Sequence, residues 1–370
     1  NITLIPSSHL GVVHKRNLKG RMVATDAKNA GDLTRNQFLV LQSLIQEPLA
    51  SRHSIAEHAG LSVEMVSVAV RQLIERGALE KGVSEELQVT GQGITALEPY
   101  RVDNAVILAA GLSTRFAPIS YEKPKGLLHA RGEILIERQI RQLKEAGIDD
   151  ITVVVGYKKE YFFYLEELFG VSIVVNDRYA ERNNHSSLMV VLDRLRRTYV
   201  CSSDNYFVEN PFESHVFEAY YATQYVQDAT DEWCVCLDTE NRIVGVTTSG
   251  ADAQAMLGHV FFDEPFSRHM AQIIRDEWDL SATKDKLWEA LFADHVDEFH
   301  MVARPYPADM IYEFDTLDDL REFDPAFLEN VDSCAFDNIV TVLGCKKTDI
   351  CDVYPLKQGL TNLSCHVRVG

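Results

Sequence analysis

Hydrophobic positions follow three different patterns along the chain, and the changes between them predict three domains behind an N-terminal arm. From 33 to 98 they recur at helical spacing and then alternate. From 103 to 325, short apolar runs such as 105–110 alternate with amphipathic stretches, which predicts buried strands joined by helices. From 330 to 370, a helical stretch precedes two strand-like stretches. Residues 1–32 lack periodicity, and either a solvated tail or a basic, phosphate-binding arm would explain them.

The alternation of strands and helices in the central region predicts the fold class. The expected strands include 105–110, 151–155, 171–175 and 199–202, and an amphipathic helix is expected at 134–147. Strands that alternate with helices of this length form a mostly parallel sheet with right-handed crossovers. We therefore expect an α/β protein with a Rossmann-like sheet in this region.

The stretch before this region is predicted to be a winged helix-turn-helix domain that spans 33–98. Thr34 and Ser62 stand where helix caps are expected, and Gly60 lies in a turn between two helices. The alternating stretch 78–90 predicts a two-stranded wing. This order of elements resembles that of bacterial regulators, so the domain would bind DNA or serve dimerisation and regulation.

Net charge weighs against DNA as the main partner. The 370-residue chain carries a formal net charge of −19 at pH 7, which disfavours binding to nucleic acid or to an anionic membrane. The predicted wing holds Glu85 and Glu86 but only one lysine, Lys81, although DNA binding needs cations that neutralise phosphates. DNA binding therefore stays the less favoured role, and a homodimer is the alternative use of this domain.

Cysteine usage and hydropathy predict the compartment. Seven cysteines at irregular spacing do not form a disulfide framework, and no apolar run is long enough to span a bilayer. The first 13 positions also lack the charged-then-apolar layout of a signal peptide. These features predict a cytoplasmic protein with reduced cysteines and no membrane segment.

The strongest chemical signal is the loop that follows the first strand of the central region. The sequence 108–116 is Leu-Ala-Ala-Gly-Leu-Ser-Thr-Arg-Phe, and Lys-Pro-Lys follows at 123–125. In an open α/β sheet, such a loop binds ligands, and its backbone N–H groups cradle phosphates. Arg115 would clamp a triphosphate, and Lys125 would contact its α-phosphate. The predicted nucleotide-binding residues of this loop are Leu108, Ala109, Ala110, Gly111, Ser113 and Arg115.

This loop resembles the signature Leu-x-Ala-Gly-x-Gly-x-Arg, with a later Lys, of nucleotidyltransferases that activate sugars and alcohols. Ser113 stands where the second glycine is usual, which changes how closely the backbone approaches the phosphates. The segment 176–188, Asn-Asp-Arg-Tyr-Ala-Glu-Arg-Asn-Asn-His-Ser-Ser-Leu, resembles the Asn-Asn-x-x-Ser loop of bacterial CTP:phosphocholine cytidylyltransferases. The stretches 231–233, 286–289 and 309–319 resemble three more of their motifs in the same order.

The resemblance implies Mg²⁺-dependent transfer of cytidylyl from CTP to phosphocholine, with release of pyrophosphate. The implied catalytic residues are Lys125, Arg115 and Asp204. The implied metal ligands are Asp204, Asp315 and Glu313, which offer the hard oxygen atoms that Mg²⁺ binds. Two simpler roles stay open, since Asp204 could form a turn and Asp315 could cap a helix. Further implied nucleotide contacts are Gly156, Tyr157, Asn184 and Ser186.

Aromatic residues within or beside these motifs suggest how an alcohol phosphate would be bound. A quaternary ammonium has no hydrogen-bond donor, so ring faces and carboxylates hold it. Each ring could instead belong to the core. Other substrates stay open, namely phosphoethanolamine, 2-aminoethylphosphonate and a sugar 1-phosphate, as does a DNA-binding regulator that senses a metabolite. The predicted substrate-binding residues are Tyr179, Asn184, Tyr206, Trp233, Trp288, Glu289 and Tyr312.

The C-terminal stretch carries a second resemblance. The sequence 352–369 resembles the first two strands of choline kinases, in which a glycine turn, here at Gly359, lies over the phosphates of ATP. The resemblance implies that 330–370 is the incomplete N-terminal part of a choline kinase-like domain, without the catalytic residues of a kinase. A plain β-hairpin is the alternative. A fused kinase would make the phosphocholine that the central region activates.

Overall fold

The computed structural model describes residues 32–82, 86–356 and 364–370. The predicted N-terminal arm, apart from its last residue, and the turn at Gly359 lie outside the described residues. Residues 33–370 form one compact unit. Four clusters of buried apolar side chains build its core.

The helices begin and end where local sequence signals predict. Thr34 and Gln37 exchange hydrogen bonds in a capping box at the start of the first helix. Ser62 accepts a hydrogen bond from the N–H of Met65, and Gly60 ends the preceding helix with a φ of 62°. Within the described ranges, no helix has the length and apolar character needed to cross a membrane. The α-helices are α1 (Arg35–Gln46), α2 (Arg52–Ala59), α3 (Val63–Glu75), α4 (Gly91–Leu97), α5 (Leu135–Glu145), α6 (Tyr164–Phe169), α7 (His185–Met189), α8 (Glu264–Glu277), α9 (Trp288–Asp294), α10 (Leu317–Phe323), α11 (Phe327–Asn330) and α12 (Cys334–Leu343).

The described strands form one large sheet and four two-stranded sheets. The β-strands are β1 (Leu79–Lys81), β2 (Leu87–Val89), β3 (Asn104–Ala109), β4 (His129–Ala130), β5 (Glu133–Ile134), β6 (Ile151–Val155), β7 (Ser172–Val175), β8 (Thr198–Ser202), β9 (Asn205–Phe207), β10 (Tyr220–Val226), β11 (Cys234–Leu237), β12 (Ile243–Thr247), β13 (Ala253–Phe262), β14 (Val302–Tyr306), β15 (Ile311–Glu313), β16 (Ile350–Leu356) and β17 (Ser364–Val369).

The N-terminal helices pack directly on the central region. Helices α1 to α3 and the hairpin β1–β2 follow one another in the predicted order, and α4 adds a short helix that the pattern does not predict. The ring of Phe217, in the segment that leads into β10, lies 5.5 Å from Phe38 and 5.4 Å from Tyr100. These contacts join the two regions through an apolar core. Assignment of the N-terminal elements to the winged helix class stays a prediction.

The large sheet is parallel in the half that surrounds β3. Its seven-strand path has the order β12-β11-β13-β8-β3-β6-β7, and β10 and β14 extend it from β13. β3 pairs in parallel with β6 and β8, and β6 pairs in parallel with β7. β13 pairs antiparallel with β8, β10 and β11. The carboxyl end of β3 therefore lies between two parallel neighbours, where open α/β sheets bind ligands.

β3 is buried on both faces, as its continuous apolar run predicts. Ala105 and Ile107 belong to one core cluster, and Val106 belongs to the other. Helix α5 supplies Ile140 to the first cluster, and α8 supplies Met270 to the second. Side chains on both faces thus fix the strand, and with it the loop that begins after Ala109.

The C-terminal elements form a smaller layer against the loop that follows β3. β16 and β17 pair antiparallel. Arg321 of α10 donates hydrogen bonds to the backbone oxygens of Ile350 and Cys351. Phe116 from the loop and Phe336 from α12 share one buried cluster. Whether this layer begins a kinase-like domain stays a prediction.

Candidate active site

A cleft of about 200 Å³ opens at the carboxyl end of β3, where the sequence predicts the phosphate-binding loop. Its walls come from that loop, from the segment around Lys125, from the segment that leads into α7 with the first turn of that helix, and from the end of β8. The predicted site residues that line the cleft are Leu108, Ala109, Ala110, Gly111, Ser113, Lys125, Tyr179, Asn184, Ser186 and Asp204.

Lys125 lies at the centre of a network of charged side chains beside this cleft. Its Nζ atom is 2.6 Å from Oδ2 of Asp204 and 3.6 Å from Oδ1 of Asp315. Arg115 donates two hydrogen bonds, of 2.8 and 2.7 Å, to the same Asp315 carboxylate. The predicted catalytic side chains therefore meet at one place, although 200 positions separate Arg115 from Asp315.

Asp315 takes part in this network because its side chain does not cap the next helix. Thr316 accepts a hydrogen bond from the N–H of Asp319, and the Asp319 carboxylate accepts one from Thr316. α10 thus begins with a capping box formed by these two residues. The cap that the sequence suggests is present one position later than expected, which leaves the Asp315 carboxylate to Arg115 and Lys125.

Asp204 and Asp315 suit the chemistry of a magnesium ion. Mg²⁺ binds hard oxygen atoms, and one or two carboxylates commonly hold it together with substrate phosphates. Both carboxylates approach the same ammonium nitrogen, at 2.6 and 3.6 Å, so their oxygen atoms face a common point. Among the described residues, no group of three or more His, Cys, Asp or Glu side chains could hold a metal ion. Substrate phosphates would therefore have to complete the coordination.

Glu313 adds a third carboxylate at the end of β15. Nδ2 of Asn205 donates a 3.3 Å hydrogen bond to its Oε2. Partial burial and the charges of Asp204 and Asp315 raise the pKa of Glu313 above its usual range, and the charge of Lys125 opposes this rise. Because the side chain also keeps contact with solvent, we attribute the rise mainly to repulsion among the carboxylates. A cation bound between them would relieve that repulsion.

Ser113 has the backbone conformation that explains why a glycine is usual at this position. Its φ of 51° lies in the left-handed region, which costs a residue with a Cβ about 1 kcal/mol and costs glycine almost nothing. The chain thus forms the loop with a serine in a glycine conformation. Ser113 still lines the cleft.

Gly156 and Tyr157 support the cleft from behind. A Cβ atom added to Gly156 would lie 2.7 Å from Cγ of Tyr179, so the glycine lets this ring pack against the backbone. The N–H of Tyr157 donates to the backbone oxygen of Ala110, and its hydroxyl donates to that of Ser120. Neither predicted nucleotide contact lines the cleft itself, and both hold residues that shape it.

Asn176 organises the opposite wall. This buried residue follows β7, and its Nδ2 donates to the hydroxyls of Ser186 and Ser187 at 2.9 and 3.0 Å. Its Oδ1 accepts a 2.9 Å hydrogen bond from the N–H of Arg178. Both serines line the cleft. Asn176 is the first residue of the motif 176–188, so the sequence contained it, but only the fold shows what it holds.

Asn184 joins the cleft to the segment that carries Trp288 and Glu289. Its Oδ1 accepts a 2.7 Å hydrogen bond from the N–H of Trp288, and its Nδ2 donates a 3.0 Å hydrogen bond to Oε2 of Glu289. Burial raises the pKa of Glu289 to about 7, and the hydrogen bond from Asn184 opposes this rise. The Asn184 carboxamide therefore positions Glu289 as well as lining the cleft.

Trp288 is a core residue in this structure. Its side chain is 2% exposed, stacks on Tyr221 at 5.9 Å and meets the edge of Phe262 at 5.1 Å. The hydroxyl of Tyr221 lies 3.5 Å from Oε1 of Glu289. The predicted open ring face of Trp288 is therefore absent, and its role is to support Tyr221 and Glu289.

Tyr206 and Tyr312 point away from the carboxylates. They pair across β9 and β15, next to the pair of Asn205 and Glu313. Because side chains alternate along a strand, the two pairs lie on opposite faces. Both tyrosine rings pack on Phe323, at 4.9 and 4.4 Å. This placement corrects their prediction as substrate contacts and assigns both rings to the core.

Trp233 directly follows Glu232, whose carboxyl group interacts with the charged centre. Burial and the charge of Asp315 raise the pKa of Glu232, and the charge of Arg115 opposes the rise. Trp233 itself is half-buried and packs against the cluster that contains α8. Its contact with a substrate stays a prediction.

Sequence reasoning missed two side chains of this region, Tyr221 and Arg182. Tyr221 lies in β10, a strand that the apolar pattern does not identify, and no motif marks it. Arg182 lines the cleft and lies within the motif 176–188. The sequence signal for Arg182 was a basic residue directly before the Asn-Asn pair, but the direction of its side chain depends on the packing of α8.

The central region is similar to known nucleotidyltransferases. Residues 105–296 match the family model of the MobA-like NTP transferase domain. The chain is 34% identical over 220 residues to the choline-phosphate cytidylyltransferase of Streptococcus pneumoniae. This match covers 60% of this chain and 96% of the relative. It is 34% identical over 229 residues to the 2-aminoethylphosphonate cytidylyltransferase of Lancefieldella rimae, which covers 61% of this chain and 93% of the relative.

The fold is similar to the solved structure of the CTP:phosphocholine cytidylyltransferase from Streptococcus pneumoniae. The TM-score is 0.59 at 34% identity, and the match covers 61% of this chain and 98% of that chain. This likeness confirms the predicted α/β nucleotidyltransferase fold with its mostly parallel central sheet.

Proposed function

The chain belongs to the MobA-like NTP transferase family and is a nucleotidyltransferase, and we propose that it transfers the cytidylyl group of CTP to phosphocholine. The products would be CDP-choline and pyrophosphate. The observation that carries the proposal is the meeting of Lys125, Arg115, Asp204 and Asp315 beside the loop after β3. This arrangement sets cations and metal-binding oxygen atoms beside a loop suited to phosphates.

The reaction would be a direct attack on the α-phosphorus of CTP. The phosphate of phosphocholine is largely dianionic near pH 7, because its second pKa is about 6, so its oxygen needs no general base. A bond forms between that oxygen and the α-phosphorus while the bond to the bridging oxygen breaks, and pyrophosphate leaves with the electron pair. Lys125, whose side chain is 9% exposed, would stabilise the charge that develops on the α-phosphate.

Arg115 and Lys125 would exchange partners when the nucleotide binds. Both cations contact carboxylates in this structure, at 2.7 and 2.6 Å. Triphosphate oxygen atoms offer a stronger negative charge to the same donors. Mg²⁺, held by Asp204 and Asp315, would neutralise charge on the nucleotide phosphates. The two side chains would then hold the triphosphate in line with the attacking oxygen.

Phosphocholine as the acceptor is supported by a relative, by a ring that lines the cleft and by a carboxylate that is linked to the cleft. The choline-phosphate cytidylyltransferase of Streptococcus pneumoniae aligns over 96% of its length. A quaternary ammonium binds to ring faces and carboxylates. Tyr179 lines the cleft, and Glu289 is linked to it through Asn184.

A second acceptor, 2-aminoethylphosphonate, is favoured because few of the predicted substrate-binding rings have an exposed face. Trp288, Tyr206 and Tyr312 all pack into the core. The carboxylates of Glu289 and Glu313 remain, and a primary ammonium donates hydrogen bonds to such groups directly. The 2-aminoethylphosphonate cytidylyltransferase of Lancefieldella rimae aligns over 93% of its length.

The test is release of pyrophosphate in Mg²⁺ with every pairing of four nucleotides and four acceptors. The nucleotides are CTP, UTP, ATP and GTP, and the acceptors are phosphocholine, phosphoethanolamine, 2-aminoethylphosphonate and glucose 1-phosphate. Turnover confined to CTP with phosphocholine supports the proposal. Turnover of CTP with 2-aminoethylphosphonate alone would replace the acceptor and keep the site. A folded protein without turnover for any pair would overturn the proposal and favour a metabolite sensor.

We further propose that the N-terminal unit is a winged helix domain that serves dimerisation or regulation. On α3, Met65 and Val68 are 44% and 47% exposed, and Glu64 and Arg71 lie on the same exposed surface. This surface offers few cations for a phosphate backbone. Sedimentation analysis would detect a homodimer, and a gel shift that weakens with added salt would contradict the proposal in favour of DNA binding.

The C-terminal layer and the cellular location are also proposals. The antiparallel pairing of β16 with β17 supports the start of a choline kinase-like domain in 330–370. Such a domain would supply phosphocholine to the transferase. Free thiols support a cytoplasmic location, which cell fractionation would test; they belong to Cys201, Cys234, Cys236, Cys334, Cys345 and Cys351.

A further inference from the structure

Arg182 is a cation in the cleft that the proposed reaction does not use. It lines the cleft beside Asn183 and Asn184. The centre of its guanidinium lies 4.2 Å from the ring centroid of Trp278. Its Nη1 atom is buried and has no hydrogen-bond partner among the described residues. Because Nη1 is buried, a ligand in the cleft would reach the guanidinium through its other two nitrogens, Nε and Nη2, whose N–H groups form a parallel pair.

The charged partners of the site assign Arg182 to a different part of the nucleotide from Lys125. Lys125 is paired with the carboxylates of Asp204 and Asp315, and Arg115 is paired with that of Asp315. Within the part of the chain that the structure describes, no carboxylate forms an ion pair with Arg182, and the cleft wall beside it carries neutral side chains. The triphosphate end therefore belongs to Lys125, and Arg182 remains for the base.

The hydrogen-bonding edge of cytosine matches a guanidinium. Cytosine presents two adjacent acceptors, O2 and N3. Uracil presents an N–H donor at position 3. A guanidinium only donates, through parallel N–H groups in one plane, so it can pair with both cytosine acceptors and opposes the uracil donor. Stacking on Trp278 fixes the plane of these donors before the ligand arrives.

We propose that Arg182 reads the base, by donating hydrogen bonds from its guanidinium to O2 and N3 of a bound cytosine. The inference rests on the proposed use of CTP and deepens it, because it names a side chain that selects cytosine over uracil. His185 packs against the same tryptophan at 5.7 Å and helps to hold Trp278 in place.

The test compares Arg182→Met with Arg178→Met. The first variant keeps a long apolar side chain on Trp278 and removes every donor. The second removes an exposed arginine from the same loop, where it pairs with Glu181. Calorimetry would measure the affinity of each folded variant for CTP, UTP and cytidine. We expect Arg182→Met to weaken CTP and cytidine about tenfold or more and to change UTP little. Arg178→Met should resemble the wild type.

Two results would overturn the base-reading role. Equal weakening of CTP and UTP with unchanged cytidine would assign Arg182 to the phosphates. Unchanged affinity for all three ligands would leave it as a packing residue. Should Arg182→Met fail to fold, Arg182→Lys carries the same comparison, since it keeps the charge but loses the planar pair of donors. A narrower preference for CTP over UTP is then expected, and an unchanged preference would overturn the role.

The same measurements separate this inference from the proposed function. A wild-type protein that releases pyrophosphate from UTP but not from CTP would overturn both. A wild-type protein that uses CTP, together with unchanged cytidine affinity in Arg182→Met, would overturn the base-reading role alone.

Discussion

Lys125 is the residue on which the charged centre depends. Its side chain is buried between Asp204 and the ring of Phe116, whose centroid lies 4.9 Å from Nζ. Burial in this position removes competing water, which strengthens the interaction of the ammonium with a charged ligand. The sequence motif identified Lys125, and the structure adds the carboxylates that hold it in place.

Lys125→Ala should lower kcat/KM for pyrophosphate release about 100- to 1,000-fold, because it removes one charge donor from the transition state. Steady-state kinetics would measure the loss. Lys144→Ala is the matched control, because this lysine lies on α5 outside the cleft and its ammonium forms an ion pair with Asp149 at 3.8 Å. An unchanged kcat/KM in Lys125→Ala would remove the residue from the catalytic set.

Gly156→Ala should displace the ring of Tyr179 and destabilise the fold by about 1–3 kcal/mol, as overpacking does. The new Cβ atom would lie 2.7 Å from the Tyr179 ring, and the ring cannot shift without changing the cleft. The midpoint temperature of thermal unfolding and the affinity for CTP would both fall. Gly91→Ala is the control, because nothing lies within 4 Å of its added Cβ atom. Equal stability of the two variants would contradict this prediction, because it would mean that the cleft wall accommodates the added methyl group.

At the scale of elements, a cluster of histidines and glutamates joins α8 to the end of α9. His295 directly follows α9, and its ring nitrogens lie 2.8 Å from Glu277 and 2.9 Å from Glu298. His269 of α8 also contacts Glu298, at 3.0 Å. α9 begins with Trp288 and Glu289 of the site. The cluster therefore helps to fix the element that carries them.

The charge of His295 makes this connection depend on pH. Burial alone would lower the pKa of His295, but hydrogen bonds to Glu298 and Glu277 outweigh it and raise the pKa. A folded-state pKa above the unfolded value adds stability that is complete below about pH 6.5 and lost as pH rises through the folded value. The hydrogen bond to His295 lowers the pKa of Glu298, so its contribution is lost only in more acidic solution.

His295→Gln should therefore lower the unfolding midpoint more at about pH 6 than at about pH 9. Chemical denaturation of the variant and the wild type across this range would measure the difference. His53→Gln, which changes an exposed histidine on α2, is the matched control and should show no such trend. A difference for His295→Gln that grows with pH would contradict the sign derived from its raised pKa.

At the scale of the whole molecule, the N-terminal helices pack on the transferase region without supplying any side chain to the cleft. All cleft residues come from 108–204, and the remaining carboxylates come from β15 and the turn after it. The contact between the regions is apolar and centres on Phe217 with Phe38 and Tyr100. Regulation by the N-terminal unit would thus act through the segment that contains Phe217. This segment leads into β10, and β10 carries Tyr221.

Deletion of residues 1–98 should leave pyrophosphate release measurable but lower the stability of the protein. The deletion removes Phe38 and exposes Phe217, and large apolar residues that become exposed promote aggregation. Adding Phe217→Ser to the deletion should restore solubility without restoring any missing catalytic group. Complete loss of activity in a folded, soluble truncation would mean that the N-terminal unit completes the site.

Much of the fold could be predicted from sequence because its signals are local. The run 105–110 predicted a strand buried on both faces, and the structure contains β3 there. Thr34, Ser62 and Gly60 predicted helix boundaries, since caps depend on residues three or four positions apart. The strands β10 and β14 were missed because neither has an unambiguous apolar period or bounding turn.

The sequence by itself determined the loop after β3, the residues Lys125, Asp204 and Asp315, and the chemistry that such groups support. The loop and Lys125 follow from residue type and short-range spacing, and the resemblance to nucleotidyltransferases implied the roles of Asp204 and Asp315. Only the tertiary structure decided which rings belong to the core, because strand register turned Tyr206 and Tyr312 toward Phe323. It also decided that Arg182 lines the cleft, since that direction depends on helix packing far along the chain. Pairing of distant strands and helices, which residue spacing does not encode, sets the direction of each side chain.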